Sequence, residues 1–265
     1  MEGRSRILAG RHVLVTGGGT GIGAAIAERL AAEGARLSLL ARDAVRLEEV
    51  ALSLEAPAEG SHFVASCDVR DSGAVDAAVA AAAAECGPLY ACVANAGLGG
   101  PNGPADEGGD RWTDLVDTNL SGTYHTLTSA RAHLAPAGGA RHLVVISSIL
   151  ARIGVPGYSG YCASKAGLLG LVRSMAAELA PEEIQVNALC PGWVNTSMAT
   201  EGIEGMAQGM DISVDEARAI AMSEVPMGRM SEPKDIAGFV SWLISEDARG
   251  VTGQALDMNG GAFMS

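Results

Sequence analysis

The 265-residue sequence has few aromatic residues and a shortage of positive charge. Aromatic side chains make up 4% of the chain, so a core must be built from alanine, valine, leucine and isoleucine. Eighteen lysines and arginines against 31 acids give a net charge of -13 at pH 7. A surface of that sign repels phosphate backbones and anionic lipids, so we expect neither a nucleic acid nor a membrane as partner. A nucleotide would need backbone N–H groups or a placed arginine to hold it locally.

The sequence also lacks the cysteine and histidine spacings of metal and disulfide proteins. Its five cysteines are odd in number and form no CxxC, which argues against a disulfide framework and a zinc knuckle. The five histidines show no HExxH or paired-ligand spacing, so no metal site is expected. No apolar run reaches membrane-spanning length, and no apolar signal segment precedes the first strand-like run. We therefore expect a cytoplasmic protein.

Strand-length apolar runs alternate with alanine-rich segments of helical period. The runs begin at His12, Arg36, His62, Leu89, His142, Ile184 and Gln254, and most are continuously apolar, as in strands buried on both faces of a parallel sheet. The predicted helices cover 22–33, 44–54, 74–86, 112–134, 161–179 and 234–245. This alternation predicts an α/β, doubly wound Rossmann fold with about seven parallel strands and helices on both faces.

The chain has no repeat or linker that would divide it, so residues 1–265 are predicted to form one domain. The irregular section is 197–231, which is glycine-rich and holds six of the ten methionines. Methionine adapts its shape to irregular apolar ligands, which favours a mobile substrate lid. A pair of short packing helices explains the segment equally well.

A glycine-rich turn, TGGGTGIG, follows the first predicted strand at residues 16–23. Glycine at 17, 21 and 23 allows a sharp turn, close approach of a pyrophosphate and close packing of the next helix, whose amino terminus attracts phosphate. The register of Gly19, Gly21 and Ala24 fits the dinucleotide fingerprint as well, so spacing alone does not separate the two. The absence of a Gly-Lys-Ser/Thr ending excludes a P-loop hydrolase. The cofactor-binding positions predicted here are Gly17, Gly19, Thr20, Gly21, Ile22 and Gly23.

Arg42 ends the second strand, where NAD-binding domains usually carry an acid for the ribose 2′-hydroxyl. An arginine suits a 2′-phosphate, so NADP(H) is predicted in preference to NAD(H), although Asp43 is one residue away and a shift of register would reverse the preference. Asp68, after the third strand, is predicted either to reach the adenine amino group or to cap the following helix.

Tyr161 and Lys165 lie four residues apart in YCASK and so share one face of a predicted helix. A free phenol has a pKa of about 10, and a neighbouring ammonium lowers it, which would make the tyrosine a usable acid–base group near neutral pH. Such a pair alone is a weak signal, because many surface helices carry one.

The ordered motifs together resemble the short-chain dehydrogenase/reductase family. They are TGGGTGIG at 16–23, DV at 68–69, NAG at 95–97, Asn119, Ser148 thirteen residues before Tyr161, YCASK, PGWVNT at 191–196 and VTGQALDMNGG near the end. The resemblance implies that Tyr161 exchanges a proton with a carbonyl or alcohol oxygen and that Ser148 binds the same oxygen. Lys165 would bind the nicotinamide ribose and lower the tyrosine pKa, and Asn119 would kink its helix and support a proton-supplying water chain.

The same resemblance implies the remaining site residues. The further cofactor-binding positions are Asp68, Val69, Asn95, Ala96, Gly97, Tyr161, Lys165, Pro191, Gly192, Val194 and Thr196. The predicted substrate pocket comprises Leu150, Val155, Tyr158, Trp193 and Met198. For Trp193 a purely structural role is an equal alternative. Ser147, the neighbour of the catalytic serine, is expected to pack or to bind backbone.

Within the family the sequence looks most like bacterial 3-oxoacyl thioester reductases and polyketide ketoreductases, which predicts NADPH-dependent reduction of a ketone to a secondary alcohol. Arg131 and Arg173 are only near the positions where carrier-protein reductases display arginine, and the negative surface would repel acidic carriers, so a coenzyme A thioester or free ketone is preferred. The alternatives are an NAD-dependent secondary alcohol dehydrogenase and a non-catalytic dinucleotide-binding regulator. The family's usual homotetramer is expected, formed through helices 112–134 and 161–179.

Overall fold

The strands form one parallel sheet. The computed structural model describes residues 6–103, 109–136 and 139–264. In this part of the chain the strands are β1 (His12–Thr16), β2 (Arg36–Ala41), β3 (Phe63–Ser66), β4 (Ala91–Ala94), β5 (Arg141–Ile146), β6 (Ile184–Pro191) and β7 (Ala255–Met258). Their order in the sheet is β3-β2-β1-β4-β5-β6-β7. All seven predicted strands are therefore confirmed, as is the doubly wound fold.

Helices cover both faces of this sheet. They are α1 (Gly21–Ala32), α2 (Ala44–Ser53), α3 (Ser72–Cys86), α4 (Trp112–Val116), α5 (Gly122–Ala132), α6 (Ser159–Leu179), α7 (Ser197–Met210), α8 (Val214–Ser223) and α9 (Pro233–Leu243). One core packs α1, α2 and α9 on the sheet, and the other packs α3, α5 and α6. Strands β1, β4, β5 and β6 are buried along their whole length because both faces are covered, which explains their continuous apolar sequences.

One predicted helix is interrupted, and the irregular section forms helices. The long helix predicted at 112–134 is two α-helices joined by a π-helical turn, Asp117–Ser121. The section 197–231 contains α7 and α8, which share a small core of their own. A pair of packing helices is thus what the segment forms, and its motion as a lid stays a prediction.

The topology fixes where a ligand can bind. From β1 the chain winds first outward through β2 and β3 and then returns to β4 on the other side of β1. The connections after β1 and β4 therefore diverge at the carboxyl ends of the strands, and ligands bind in such a crevice in open α/β sheets.

Candidate active site

The glycine turn between β1 and α1 has the conformation of a phosphate cradle. Gly17 and Gly21 have positive φ angles of 66° and 53°. A Cβ at Gly23 would overlap the Gly17 carbonyl oxygen, whereas one at Gly19 would meet only ordinary contacts, the nearest at 3.5 Å. The geometry therefore selects the register of Gly17, Gly21 and Gly23 over that of Gly19, Gly21 and Ala24.

The loop after β4 holds this turn in place. The Asn95 side-chain amide donates to the carbonyl oxygens of Thr16 and Gly17 at 3.1 and 3.2 Å. The Thr16 hydroxyl accepts from the backbone N–H groups of Asn95 and Ala96 at 3.1 and 3.2 Å. Asn95 thus supports the turn through its amide, and Ala96 and Gly97 line the cavity beside it.

A cavity of about 580 Å³ opens from the glycine turn along the strand ends. Its lining comprises Gly17, Gly19, Thr20, Ala41, Arg42, Asp43, Arg46, Cys67, Asp68, Val69, Ala96, Gly97, Leu98 and Thr118. Two arginines, Arg42 and Arg46, lie in this lining together with two acids, Asp43 and Asp68, and a guanidinium is the group that suits a phosphate. The cavity has glycine backbone at one end and arginine side chains beside it, an arrangement that fits the phosphates of a dinucleotide.

Asp43 is engaged within the chain. One carboxylate oxygen accepts from the Arg46 backbone N–H at 3.2 Å and so caps α2. The other lies 3.3 Å from Nε of the same arginine. The acid next to Arg42 is therefore a helix cap paired with a cation.

Asp68 does not cap the helix that follows it. Its carboxylate accepts from the backbone and guanidinium of Arg70, with a shortest distance of 2.7 Å, and these bonds lower the pKa of Asp68. Asp71 caps α3 by accepting from the Ala74 backbone N–H at 3.0 Å. The capping interpretation of Asp68 is wrong, and its place in the cavity lining leaves the adenine contact as a prediction.

Ser148, Tyr161 and Lys165 are brought together at the carboxyl end of β5. Ser148 begins a single 3₁₀ turn, Ile149–Ala151, and its hydroxyl accepts from the Leu150 backbone N–H at 3.2 Å. Tyr161 and Lys165 lie in the first turns of α6, with the lysine Nζ 5.8 Å from the centroid of the tyrosine ring. Ser147 donates to the Lys165 carbonyl oxygen at 3.0 Å, which confirms that it binds backbone.

Burial dominates the electrostatics of this pair. It raises the pKa of Tyr161, which the adjacent Ser148 hydroxyl partly offsets. Burial also lowers the pKa of Lys165 to about 8, and the ammonium donates to the Ile146 carbonyl oxygen at 2.9 Å. The expected lowering of the phenol pKa by the lysine is therefore not seen in the protein alone, because loss of solvent outweighs the hydrogen bond with Ser148.

Asn119 lies in the π turn and is completely buried. Its amide oxygen accepts from the Leu98 backbone N–H at 2.7 Å, and its nitrogen donates to Leu98 O and Ser164 Oγ at 3.0 and 3.1 Å. The π turn is the local distortion that the predicted kink required, and such turns are frequent at functional sites. Asn119 consequently ties the loop after β4 to helix α6.

The segment after β6 closes the opposite side of the site. The Gly192 N–H donates to Met258 O at 3.1 Å, and a Cβ there would lie 2.9 Å from the Asn259 backbone, so glycine is required. Thr196 caps α7 by accepting from the Ala199 N–H at 3.4 Å, and its methyl group faces Gly21 of the glycine turn. Pro191, directly before Gly192, and Val194, between the two anchors, are buried.

The predicted substrate residues fall into two groups. Leu150, Val155 and Tyr158 lie between Ser148 and Tyr161, with Val155 exposed and Tyr158 at the start of α6. Met198 extends from α7 to Gly99 in the loop after β4, where an added Cβ would lie 2.7 Å from its sulfur. Trp193 packs on Gly202 and joins the core of α7 and α8, which supports its structural interpretation.

Comparisons with known proteins agree with this site. A family model described as enoyl-(acyl carrier protein) reductase matches residues 17–262. Ketoacyl reductase 1 of the granaticin polyketide synthase of Streptomyces violaceoruber is 38% identical over 252 residues, which cover 94% of this chain and 91% of that protein. The chain belongs to the short-chain dehydrogenase/reductase family. As a member of that family it is an NAD(P)-dependent oxidoreductase with a dinucleotide cofactor.

Two further relatives share almost the whole length of this short-chain dehydrogenase/reductase. The 3-oxoacyl-[acyl-carrier-protein] reductase of Staphylococcus aureus is 33% identical over 256 residues, covering 96% of this chain and 98% of the relative. The crystal structure of a variant of actinorhodin polyketide ketoreductase with NADPH superposes with a TM-score of 0.84 at 35% identity, covering 95% and 97% of the two chains.

Sequence reasoning missed three contributors to the site. Arg46 lines the cavity from the first turn of α2, and a second cation soon after Arg42 was the available signal. Thr16 braces the Asn95 loop, which no sequence pattern indicated. The Arg152–Asp257 ion pair was marked only by an acid inside an otherwise apolar strand, ALDM.

Among residues 6–103, 109–136 and 139–264, no helix is long and apolar enough to cross a membrane. In the same described residues no cluster of three or more histidine, cysteine or acidic side chains could hold a metal ion.

Proposed function

We propose that this enzyme uses NADPH to reduce a ketone, a 3-oxoacyl thioester or a similar compound, to a secondary alcohol. The observation that carries the proposal is the convergence of Ser148, Tyr161 and Lys165 at the end of β5, adjoining the cavity lined by Gly97 and the glycine turn. The printed names of the relatives, ketoacyl reductase and 3-oxoacyl reductase, support the substrate class.

In this proposal the protein's own groups handle the proton. Tyr161 donates its phenolic proton to the carbonyl oxygen, and the Ser148 hydroxyl donates a hydrogen bond to the same oxygen, where negative charge develops. The raised pKa of Tyr161 keeps the phenol protonated at neutral pH, which suits a donor in the direction of reduction. The bound dinucleotide supplies the hydride. Asn119, fixed in the π turn beside Ser164, supports the path by which water returns the proton.

Arg42 supports the choice of NADPH over NADH. It lines the cavity at the end of β2, and Asp43 is engaged as the cap of α2. A guanidinium recognises a phosphate through paired charge-assisted hydrogen bonds. The related actinorhodin ketoreductase, whose structure was determined with NADPH, is consistent with this choice.

A coenzyme A thioester or free ketone is the proposed substrate form. Arg131, one of the two arginines near the carrier-binding positions, is paired with Glu178 and Glu182 at 2.6 and 3.1 Å. The net charge of -13 further disfavours an acidic carrier protein. We also propose a cytoplasmic homotetramer, with exposed Trp112 and Tyr124 on the helices expected to form its interface.

The test is NADPH oxidation with acetoacetyl-coenzyme A and with a panel of ketones, comparing the wild-type protein with Tyr161→Phe. We expect turnover by the wild type and a loss of about a hundredfold to ten-thousandfold in kcat for the variant, the range for removal of a general acid. Absence of Tyr161-dependent turnover with every substrate would leave a non-catalytic dinucleotide-binding regulator as the better description.

The cofactor preference is tested separately with Arg42→Ala. We expect weaker binding of NADPH, by about tenfold or more for loss of a charge-assisted pair, with little change for NADH. Isothermal titration of both dinucleotides measures this directly. Equal binding of the two by the wild type, or stronger binding of NADH, would favour the NAD-dependent secondary alcohol dehydrogenase.

A further inference from the structure

Strand β7 carries an acid where its sequence, ALDM, otherwise places apolar residues. Asp257 is half-buried, with 18% of its side chain exposed, and it faces Arg152, which is 21% exposed. The Arg152 Nε and Nη2 donate to the two carboxylate oxygens at 3.2 and 3.3 Å. The pair is therefore bidentate and largely shielded from solvent, unlike the exposed ion pairs elsewhere on the surface, which contribute little.

Arg152 makes two more contacts with the same end of the molecule. Its Nη2 donates to the Ala255 carbonyl oxygen at 2.7 Å, and its guanidinium carbon lies 5.9 Å from the centroid of the Phe263 ring. The side chain is thus fixed to β7 and to the segment that follows it.

The backbone of Arg152 ends the turn that Ser148 begins. The Arg152 N–H donates to Ile149 O at 2.8 Å, while the Ser148 hydroxyl accepts from the Leu150 N–H at 3.2 Å. The other end of this segment is anchored in the sheet, since Ser147 N–H donates to Leu189 O at 2.7 Å. A three-residue 3₁₀ turn has few bonds of its own, so an anchor at its far end decides where the serine hydroxyl lies.

The strand that holds Arg152 also closes the cofactor side of the site. Asp257 pairs in register with Cys190, and Met258 with Pro191, immediately before Gly192. Gly192 donates to Met258 O. One ion pair consequently links the serine turn to the strand that fixes the Gly192 segment.

We infer that Arg152 and Asp257 are positioning residues, which brace the Ser148 turn against β7 and so set the place of the serine hydroxyl relative to the carbonyl oxygen of the substrate. This inference rests on the proposed role of Ser148 and adds a pair that acts through it. Misplacement of a catalytic group by about 1 Å costs up to about a hundredfold in rate.

The kinetic test compares Arg152→Met, Arg152→Lys, Asp257→Asn and the double substitution Arg152→Met with Asp257→Asn. We expect kcat for ketone reduction to fall by about tenfold to a hundredfold in Arg152→Met, with KM and the NADPH dissociation constant changed less than about threefold. Arg152→Lys should recover part of kcat. The double substitution should be no worse than the poorer single one, because both remove the same brace. Glu85→Gln, which breaks an exposed pair with Arg36 at the amino end of β2 (3.8 Å), is the control and should leave kcat unchanged.

Hydrogen exchange measured by mass spectrometry provides a readout that needs no substrate. In Arg152→Met the amides of Leu150 and Arg152 should exchange faster, while those of the glycine turn keep their wild-type rates. If the wild type reduces no ketone, the proposed function fails, and the exchange result still decides whether the brace exists. Unchanged exchange in 147–152, unchanged kcat in an active enzyme, or a parallel loss of kcat and NADPH affinity would each overturn the inference.

Discussion

At the scale of single residues, burial governs the chemistry of the site. Lys165 is 5% exposed, and this burial lowers its pKa to about 8 although the ammonium donates to one carbonyl oxygen. The phenol of Tyr161 moves in the opposite direction, because burial disfavours its charged form. The lysine is therefore the group of this pair whose charge changes first as pH rises above neutrality.

This order predicts the alkaline limb of the activity profile. The family resemblance assigns the protonated lysine to binding the nicotinamide ribose, and this charged form is lost above a pKa of about 8. We expect kcat for reduction to decline from about pH 8 upward, well below the range of an ordinary lysine near 10.4. Steady-state kinetics between pH 6 and 10 measure the limb.

Lys165→Arg provides the comparison, because arginine stays protonated throughout this range. Whatever activity the arginine variant retains should show no decline near pH 8. An identical limb in both proteins would assign the titration to another group.

The residues of the site differ in how far the sequence could predict them. The glycine turn, Ser148, Tyr161 and Lys165 lie in short motifs whose spacing survives folding, and the structure brings them together. The roles of Asn95 and Asp68 were less accessible, because they depend on which neighbour each polar side chain meets. The Asp68 carboxylate binds Arg70 and leaves the cap of α3 to Asp71, a choice made by local backbone geometry.

At the scale of elements, periodicity predicted the strands, whereas only the family resemblance implied the helix interruption, as a kink at Asn119. A strand buried on both faces has a continuous apolar sequence, and β1, β4, β5 and β6 each show one. The π turn at 117–121 inserts into a segment whose apolar spacing continues on either side. Periodicity reports which face is buried, and a single widened turn alters that face too little to be seen.

The junction of β1 and α1 is the element most sensitive to one added methyl group. A Cβ at Gly23 would overlap the Gly17 carbonyl oxygen and approach the Asn95 amide at 2.6 Å. Backbone cannot move aside without opening the turn, so Gly23→Ala should reduce dinucleotide affinity by about a hundredfold or more, a loss of at least about 3 kcal/mol. Titration calorimetry with NADPH measures it.

Gly205→Ala is the matched control, since an added Cβ on this exposed face of α7 meets no atom within 4 Å in the described part of the chain. It should bind NADPH normally and raise stability by about 0.5–1 kcal/mol through its better helix propensity. Normal NADPH binding by the Gly23 variant would show that the turn is not the cradle described above.

At the scale of the whole molecule, the two ends of the sheet have different chemistry. The carboxyl ends of the strands carry the site, and three neutral histidines lie near the amino ends. His12 donates from Nδ1 to Gly87 O at 2.7 Å and accepts from the Ser38 hydroxyl at 2.7 Å. His62 accepts from the Leu37 N–H at 3.1 Å. Burial lowers the pKa of both histidines, because a charged ring would be poorly solvated at these positions.

His142 is the most deeply placed of the three, with 1% exposure on β5. Its Nε2 lies 3.1 Å from the Tyr90 hydroxyl, which itself donates to Ile244 O at 2.6 Å, so the ring nitrogen is the donor. Its Nδ1 is buried and has no hydrogen-bond partner among the residues that the structure describes. Burial lowers the pKa of His142 to about 4, with a smaller contribution from the nearby Arg11 guanidinium.

These histidines predict that the fold weakens in mild acid. The unfolded chain binds protons at histidine below about pH 6.5, whereas the folded His142 does not until about pH 4, so stability present above pH 6.5 is lost as the pH falls toward 4. From these values His142 alone should remove about 2 kcal/mol of unfolding free energy between pH 7 and pH 5.

Urea unfolding at both pH values, in the wild type and in His142→Gln, measures the contribution. The variant should be less stable than the wild type at pH 7, but its unfolding free energy should fall by about 2 kcal/mol less on acidification. Acidification also reduces repulsion among the excess acids, which stabilises both proteins equally, so this effect drops out when the two are compared. Parallel curves for the wild type and the His142 variant would mean that the buried ring accepts its proton within the fold.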